Sequence, residues 1–237
     1  MVDTPAFFFD YKGKNLVFAD MHIGYESEMK KLGANVPEVE RNMIREIERI
    51  YSSVEPDRVF IVGDIKHNIP YASFKEERNI YRIIDMMSES SEVYIIKGNH
   101  DGGIEEILDM QVYENLLFGK IYFSHGHRYP DNKIINAKML ICAHVHPVLI
   151  LKEKTGAYLR YRVWVEGKVS KEFLRRYGKE REIKAMILPA FNRALPGADI
   201  VKEEMTGVLK NIITDMEVTL LDGTKLGKVS ILRDKLD

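Results

Sequence analysis

Val59-Phe60-Ile61-Val62-Gly63-Asp64 decides how this chain folds. Four β-branched or aromatic residues in succession make a strand buried on both faces. The glycine after them lets the chain turn sharply and deliver a carboxylate at the strand end. An aspartate in that place can also simply cap the next segment. The pattern recurs, though. Leu16 to Ala19 runs into Asp20-Met21-His22, and Val93 to Ile96 leads to Gly98-Asn99-His100-Asp101. Ile121 to Phe123 leads to Ser124-His125-Gly126-His127, and Met139 to Cys142 to His144-Val145-His146. In layered α/β folds the carboxyl ends of adjacent strands converge on a crevice where ligands bind, so convergence of these five ends would make a site.

The intervening segments read as helices. Pro37 and Glu38 open a stretch in which Val39, Met43, Ile47, Ile50 and Tyr51 recur at three- and four-residue intervals, ending before Pro56. Phe74, Ile80, Ile83, Ile84 and Met87 make a second stripe. Upstream, Phe7 to Phe9 and Leu16 to Ala19 flank Tyr11-Lys12-Gly13-Lys14 as a hairpin. Beyond residue 150 the chain is expected to be mostly β: Tyr158 to Val165, a short helix over Ser170 to Tyr177, and Ile183 to Leu188 before Pro189. Asp222-Gly223 between Glu217 to Leu221 and Lys225 to Leu232 is a two-residue hairpin signal. The expectation is one α/β domain over residues 1–237, with a motif core at 7–150 and a β-rich completion at 151–237.

Composition narrows the chemistry. Of 237 residues, 45% are hydrophobic and 30% charged, which excludes a disordered or fibrous chain. Thirty-five basic residues against 36 acidic ones give a net charge of −1, so global charge does not draw the protein to polyanions. No apolar run approaches the roughly 18–20 residues of a membrane span, and MVDTPAFFFD has no basic stretch ahead of its aromatic run. A cytoplasmic protein with no membrane partner is expected. The single cysteine, Cys142, excludes an internal disulfide and a multi-thiolate zinc site, so any metal must be held by nitrogen and oxygen.

Four of the seven histidines fall in two strand-end clusters, His125/His127 and His144/His146. With Asp20, His22, Asp64 and Asn99, three of these histidines (His125, His144 and His146) bring the set to seven hard or borderline donors. That is enough for two adjacent divalent ions sharing one carboxylate. Mixed imidazole and carboxylate ligation suits manganese, iron or zinc rather than calcium. Two such ions are the usual device for clamping phosphate oxygens and making hydroxide at neutral pH. Beside them, Asp101 is placed to fix the tautomer of His100.

With these residues in view, the sequence resembles the calcineurin-like metallophosphoesterase superfamily. Its ordered signatures are Asp-x-His, Gly-Asp, Gly-Asn-His-Asp or Glu, His, and Gly-His-x-His, and they match residues 20 to 146. Within it the chain is similar to archaeal phosphoesterases related to the SbcD nuclease and to bacterial ligase-associated repair phosphoesterases. Gly63-Asp64-Ile65-Lys66-His67 and Leu188-Pro189-Ala190-Phe191-Asn192 carry that likeness. The resemblance implies two packed mixed β-sheets flanked by helices. It implies one metal on Asp20, His22, Asp64 and His146 and a second on Asp64, Asn99, His125 and His144, with manganese first and iron or zinc as alternatives. His100 would donate a proton to the leaving oxygen or stabilise the transition state, with Asp101 orienting it. Two departures stand out: Ala143 replaces the usual glycine, and Ile65-Lys66-His67 follows the Gly-Asp. Lys66 and His67 are read as phosphate contacts or as outer support for the metal, or else as a solvated basic pair. His127 and Asn192 are further candidates for substrate contact.

The phosphoester itself is less constrained. Residues 152–184 hold eleven Lys or Arg and five Asp or Glu, a local +6, interleaved with Tyr158, Tyr161, Trp164 and Tyr177. Such a stretch suits a nucleic-acid groove with stacking platforms. A half-buried strand, in which Arg160 and Arg162 alternate with Leu159, Tyr161 and Val163, is the preferred reading of it. The expected activity is hydrolysis of a phosphodiester, DNA or a nucleotide. The alternatives are a broad small-molecule phosphatase or cyclic-nucleotide phosphodiesterase and, further off, a non-catalytic scaffold. Some relatives dimerise, which makes a homodimer one of the expectations.

Overall fold

The computed structural model describes residues 3–34, 38–178, 181–203, 205 and 207–236. The chain divides into two compact units, each with its own sheet and core. One comprises Ala6–Glu114 with Phe191–Leu195, the other Met1–Pro5, Asn115–Ala190 and Pro196–Asp237. Both are α/β with a mixed sheet and flanking helices.

The first unit runs β1 (Phe7–Asp10), β2 (Lys14–Ala19), α1 (Tyr25–Lys31), α2 (Val39–Val54), β3 (Arg58–Val62), α3 (Phe74–Ser88), β4 (Glu92–Ile96), α4 (Ile104–Leu108) and β5 (Val112–Tyr113). Its five strands lie in sequence order, β1 antiparallel to β2 and the rest parallel. The expected hairpin, both long helices and three parallel strands are all present; Pro37, expected to open α2, lies outside the described residues. Ala19 pairs with Val62 and Val62 with Ile96, so the segments after β2, β3 and β4 leave the same edge of the sheet. Leu16, Phe18, Val59, Ile61 and Ile95 from the strands meet Ile47 of α2 and Ile80 and Ile83 of α3 in one core. A capping box between Ser73 and Glu76 starts α3.

The second unit contains β6 (Asn115–Phe118), β7 (Ile121–Ser124), β8 (Met139–Cys142), β9 (Pro147–Lys152), β10 (Tyr158–Val169), α5 (Lys171–Arg175), β11 (Lys184–Ile187), β12 (Ala198–Asp199), α6 (Leu209–Ile212), β13 (Ile213–Leu220), β14 (Lys225–Lys228) and α7 (Val229–Leu236). The strand order is β12-β9-β10-β11-β8-β7-β6, with β13 joined to β10 and β14. Parallel pairing of β7, β8 and β11 aligns Phe123 with Ile141 and Cys142 with Ile187, so His125-Gly126-His127 and His144-Val145-His146 also leave one edge. The division falls at Glu114/Asn115, ahead of the change of character read near residue 150, because β6 to β9 pair into this sheet.

One element differs outright from expectation. Lys225 to Leu232 does not continue as a strand: β14 stops at Lys228 and α7 follows. Gly227, at φ 103°, turns the backbone, and Val229 and Leu232, three apart, then both pack on the core. Tyr158 and Tyr161 are exposed rather than core, whereas Tyr177 packs on the core of this unit.

Candidate metal centre

In the first unit, Asp20, His22 and Asp64 follow β2 and β3 directly. Their ligand atoms all lie within 4.8 Å of one another, with His22 Nε2 3.3 Å from Asp64 Oδ2. All three are buried, at 2% exposure or less. The backbone is left-handed at each, with φ of 50°, 43° and 46°. Side chains rarely adopt that region, and such strain persists only where the surrounding structure enforces it, most often at functional sites. Here the enforcing contacts are backbone bonds between the two loops: Asp20 N–H to Gly63 O, His22 N–H to Asp64 O, and Ile23 N–H to Ile65 O.

The loop after β4 closes on Asp64. His100 N–H donates to Asp64 Oδ1 at 2.8 Å. The buried Asp101 carboxylate accepts from the backbone N–H groups of Gly98, Ile65 and Lys66, tying the β3 and β4 loops together. The His100 ring is oriented from another direction than the sequence suggests: its Nδ1 lies 2.6 Å from the His67 carbonyl oxygen. Asn99 is exposed at the tip of the turn.

Two residues expected to meet substrate are buried and bonded within the protein. Lys66 is fully buried, and its Nζ donates to the carbonyls of Asn68 and Pro70. Burial holds its ammonium below the usual lysine range, although Asp101, Glu76 and Asp64 pull the other way. Asn192 is 1% exposed; its amide donates to Met21 O at 3.1 Å, and its backbone N–H donates to Asp20 O, so it braces the Asp20–His22 loop from beneath. His67 is partly buried between His22 and Glu28, its Nδ1 3.0 Å from His22 Nδ1.

The second unit presents the remaining imidazoles. His125 is fully buried, and its ligand nitrogen lies within 4.8 Å of that of His144. His125 Nδ1 and His127 Nδ1 are 3.0 Å apart. His144 and His146 again have left-handed backbone, at φ 74° and 46°. Ala143 is fully buried, and its N–H donates to His125 O, so the departure from glycine is accommodated within the loop. Gly197 seats His146: a β-carbon there would come 2.4 Å from the His146 carbonyl oxygen.

Sequence reasoning missed Glu28, Glu76 and Gly24. Glu76 accepts from the N–H groups of His67 and Asn68 and so holds the loop that carries His67. Its signal was the Ser-x-x-Glu spacing before the apolar run of α3. Gly24, at φ 106°, leaves room for the Glu76 carboxylate where a β-carbon would clash at 2.6 Å.

The donors offered are imidazole, carboxylate and amide without thiolate, a set that fits first-row divalent metals. Among the described residues, no helix is long and apolar enough to cross a membrane. In comparison with known proteins, no curated protein matches this chain. Among solved structures it is similar in fold to a nuclease from Pseudomonas putida, at 19% identity and a TM-score of 0.57, covering 93% of this chain and 100% of that one. A phosphoesterase from E. coli, Yfce, aligns at 12% identity and a TM-score of 0.43, over 92% of this chain and 98% of its own. The model of the calcineurin-like phosphoesterases matches residues 14–187, and the chain belongs to that family.

Proposed function

We propose that this metallophosphoesterase uses two divalent ions to hydrolyse phosphodiesters, with nucleic-acid strands as the substrate class and the cytoplasm as its compartment. Asp20, His22, Asp64 and His146 take one ion; Asp64, Asn99, His125 and His144 take the other. The observation that carries this reading is the backbone. Among the described residues, eleven other than glycine have positive φ, and five of them are Asp20, His22, Asp64, His144 and His146. Strain concentrated on the proposed ligands is what a pre-organised metal site requires. Manganese suits the donor set best, ahead of iron or zinc.

The ions, when bound, supply the Lewis acidity that polarises a phosphoryl oxygen and activates water. The chain's own groups do the rest. With Nδ1–H held by the His67 carbonyl, His100 in its imidazolium form would carry its second hydrogen on Nε2, the proton passed to the leaving ester oxygen as the ring returns to neutral. Asp101 positions His100 by locking the turn that carries it. A diester rather than a monoester is supported by the nuclease that shares the fold and by Tyr158 and Tyr161, exposed beside Arg160 as rings on which bases can stack.

Manganese-dependent hydrolysis of bis-p-nitrophenyl phosphate and of p-nitrophenyl phosphate, measured side by side, tests this. Diester turnover that is lost in Asp64→Asn and His100→Ala is expected. Turnover of the monoester alone would replace the reading with a small-molecule phosphatase.

A further inference from the structure

We propose that Glu28, His67 and His22 form a directed hydrogen-bond chain that makes His22 a metal ligand through Nε2, with Glu28 and His67 as positioning residues. This rests on the metal reading above and adds two residues to it. Glu28 Oε2 lies 2.5 Å from His67 Nε2, and His67 Nδ1 lies 3.0 Å from His22 Nδ1. A carboxylate only accepts, so His67 Nε2 carries the hydrogen. In a neutral ring, His67 Nδ1 is then a lone pair. Two imidazole nitrogens 3.0 Å apart need one hydrogen between them, so His22 Nδ1 carries it. Neutral imidazole is the ligating form, and its remaining lone pair sits on Nε2, the atom 3.3 Å from Asp64 Oδ2. Each hydrogen is assigned by its neighbour, and the last lone pair faces the proposed ion.

The chain is built to stay in place. The His67 backbone N–H is held by Ile23 O and Glu76 Oε1. Tyr25 presents its ring edge-on to the His67 ring, with centroids 5.0 Å apart at 87°. Glu28 rides on α1, which starts immediately after the Asp20-Met21-His22 segment, so one short stretch carries both ends of the chain. His67 also accepts from His100 through its carbonyl, so the same residue sets a ligand with its side chain and the proton donor with its backbone.

Two measurements test the proposal. In the zinc-loaded, 15N-labelled full chain, long-range 1H–15N correlation is expected to show His22 protonated at Nδ1 with Nε2 metal-shifted, and His67 protonated at Nε2. By calorimetry with manganese, His67→Ala is expected to weaken binding about 10- to 100-fold, the usual loss when a ligand's outer partner is removed. His67→Asn, which retains an acceptor for His22, is expected to recover part of that loss, and Glu28→Ala to show a smaller one. A His67 Nδ1 that is itself metal-shifted, or a His22 protonated at Nε2, would overturn the chain, as would wild-type affinity in His67→Ala while His22→Ala has lost an ion. Wild-type protein that takes up no ion, or His22→Ala binding like wild type, would instead bring down the metal reading, and the chain with it. The correlation spectrum uses the unmutated protein and stands even if a variant fails to fold.

Discussion

A β-carbon on Gly98 would stand 2.1 Å from Asp64 Oδ1 and 2.3 Å from the Asp64 backbone nitrogen. No side chain fits there, so the glycine of the Gly-Asn-His-Asp segment is a spatial requirement of the carboxylate proposed to be shared by both ions. Gly98→Ala is expected to displace Asp64 and cut diester turnover at least about 100-fold, the scale on which a small misplacement of reacting groups costs rate. Turnover and manganese stoichiometry, measured together, check it; wild-type values for both would contradict it.

Asn192 offers a second test. Because its amide bonds to the backbone under Asp20 and His22, Asn192→Ala leaves a buried carbonyl short of a donor and should cost about 1–3 kcal/mol of stability. Loosening that loop should also weaken manganese binding while leaving KM for the diester at saturating metal unchanged. A KM effect without a stability effect would instead make Asn192 a substrate contact. Urea unfolding and kinetics at two manganese concentrations separate the two.

Lys66→Met should behave the same way. The methionine fills the buried volume but leaves the Asn68 and Pro70 carbonyls without the ammonium. A stability loss of about 1–3 kcal/mol is expected, and a loss of activity that tracks the mobility of the His67 loop rather than the charge of the substrate. Comparing a neutral triester analogue's binding with that of the diester would reveal a charge effect if there is one.

On β7 of the second unit, Tyr122 donates to Asp131 Oδ1 and accepts from Asp131 N–H. Burial pushes its hydroxyl well above the usual tyrosine range, with the Asp131 N–H opposing and its carboxylate adding to the rise. A folded pKa above the unfolded one means that the neutral phenol's stabilisation is complete below about pH 10 and is lost as pH rises beyond it. Tyr122→Phe should therefore cost about 1–2 kcal/mol at pH 7 and progressively less than that relative to wild type above pH 10. Denaturant unfolding from pH 7 to 11 reads both.

The proposed donors could be picked out because each sits at the end of an apolar run, where periodicity and punctuation coincide; Val59 to Asp64 and Met139 to His146 needed no structure to be noticed. Supporting residues were not. Glu28 lies on a seven-residue helix with too few apolar positions to show a stripe. Asn192 reaches Met21 across 171 positions of sequence, and nothing local announces such a brace. The burial of Lys66 was not legible because a lysine normally seeks water, and only the carbonyls of the following turn explain it. The end of β14 misled because Val229 and Leu232 satisfy a strand's composition while their spacing serves a helix.

The left-handed backbone at the five proposed ligands sets function against durability. Glycine at any of these positions would relieve the backbone strain, at the price of a donor and of the contacts its side chain makes. At these five positions the demands of a relaxed backbone and of the proposed metal site therefore pull in opposite directions.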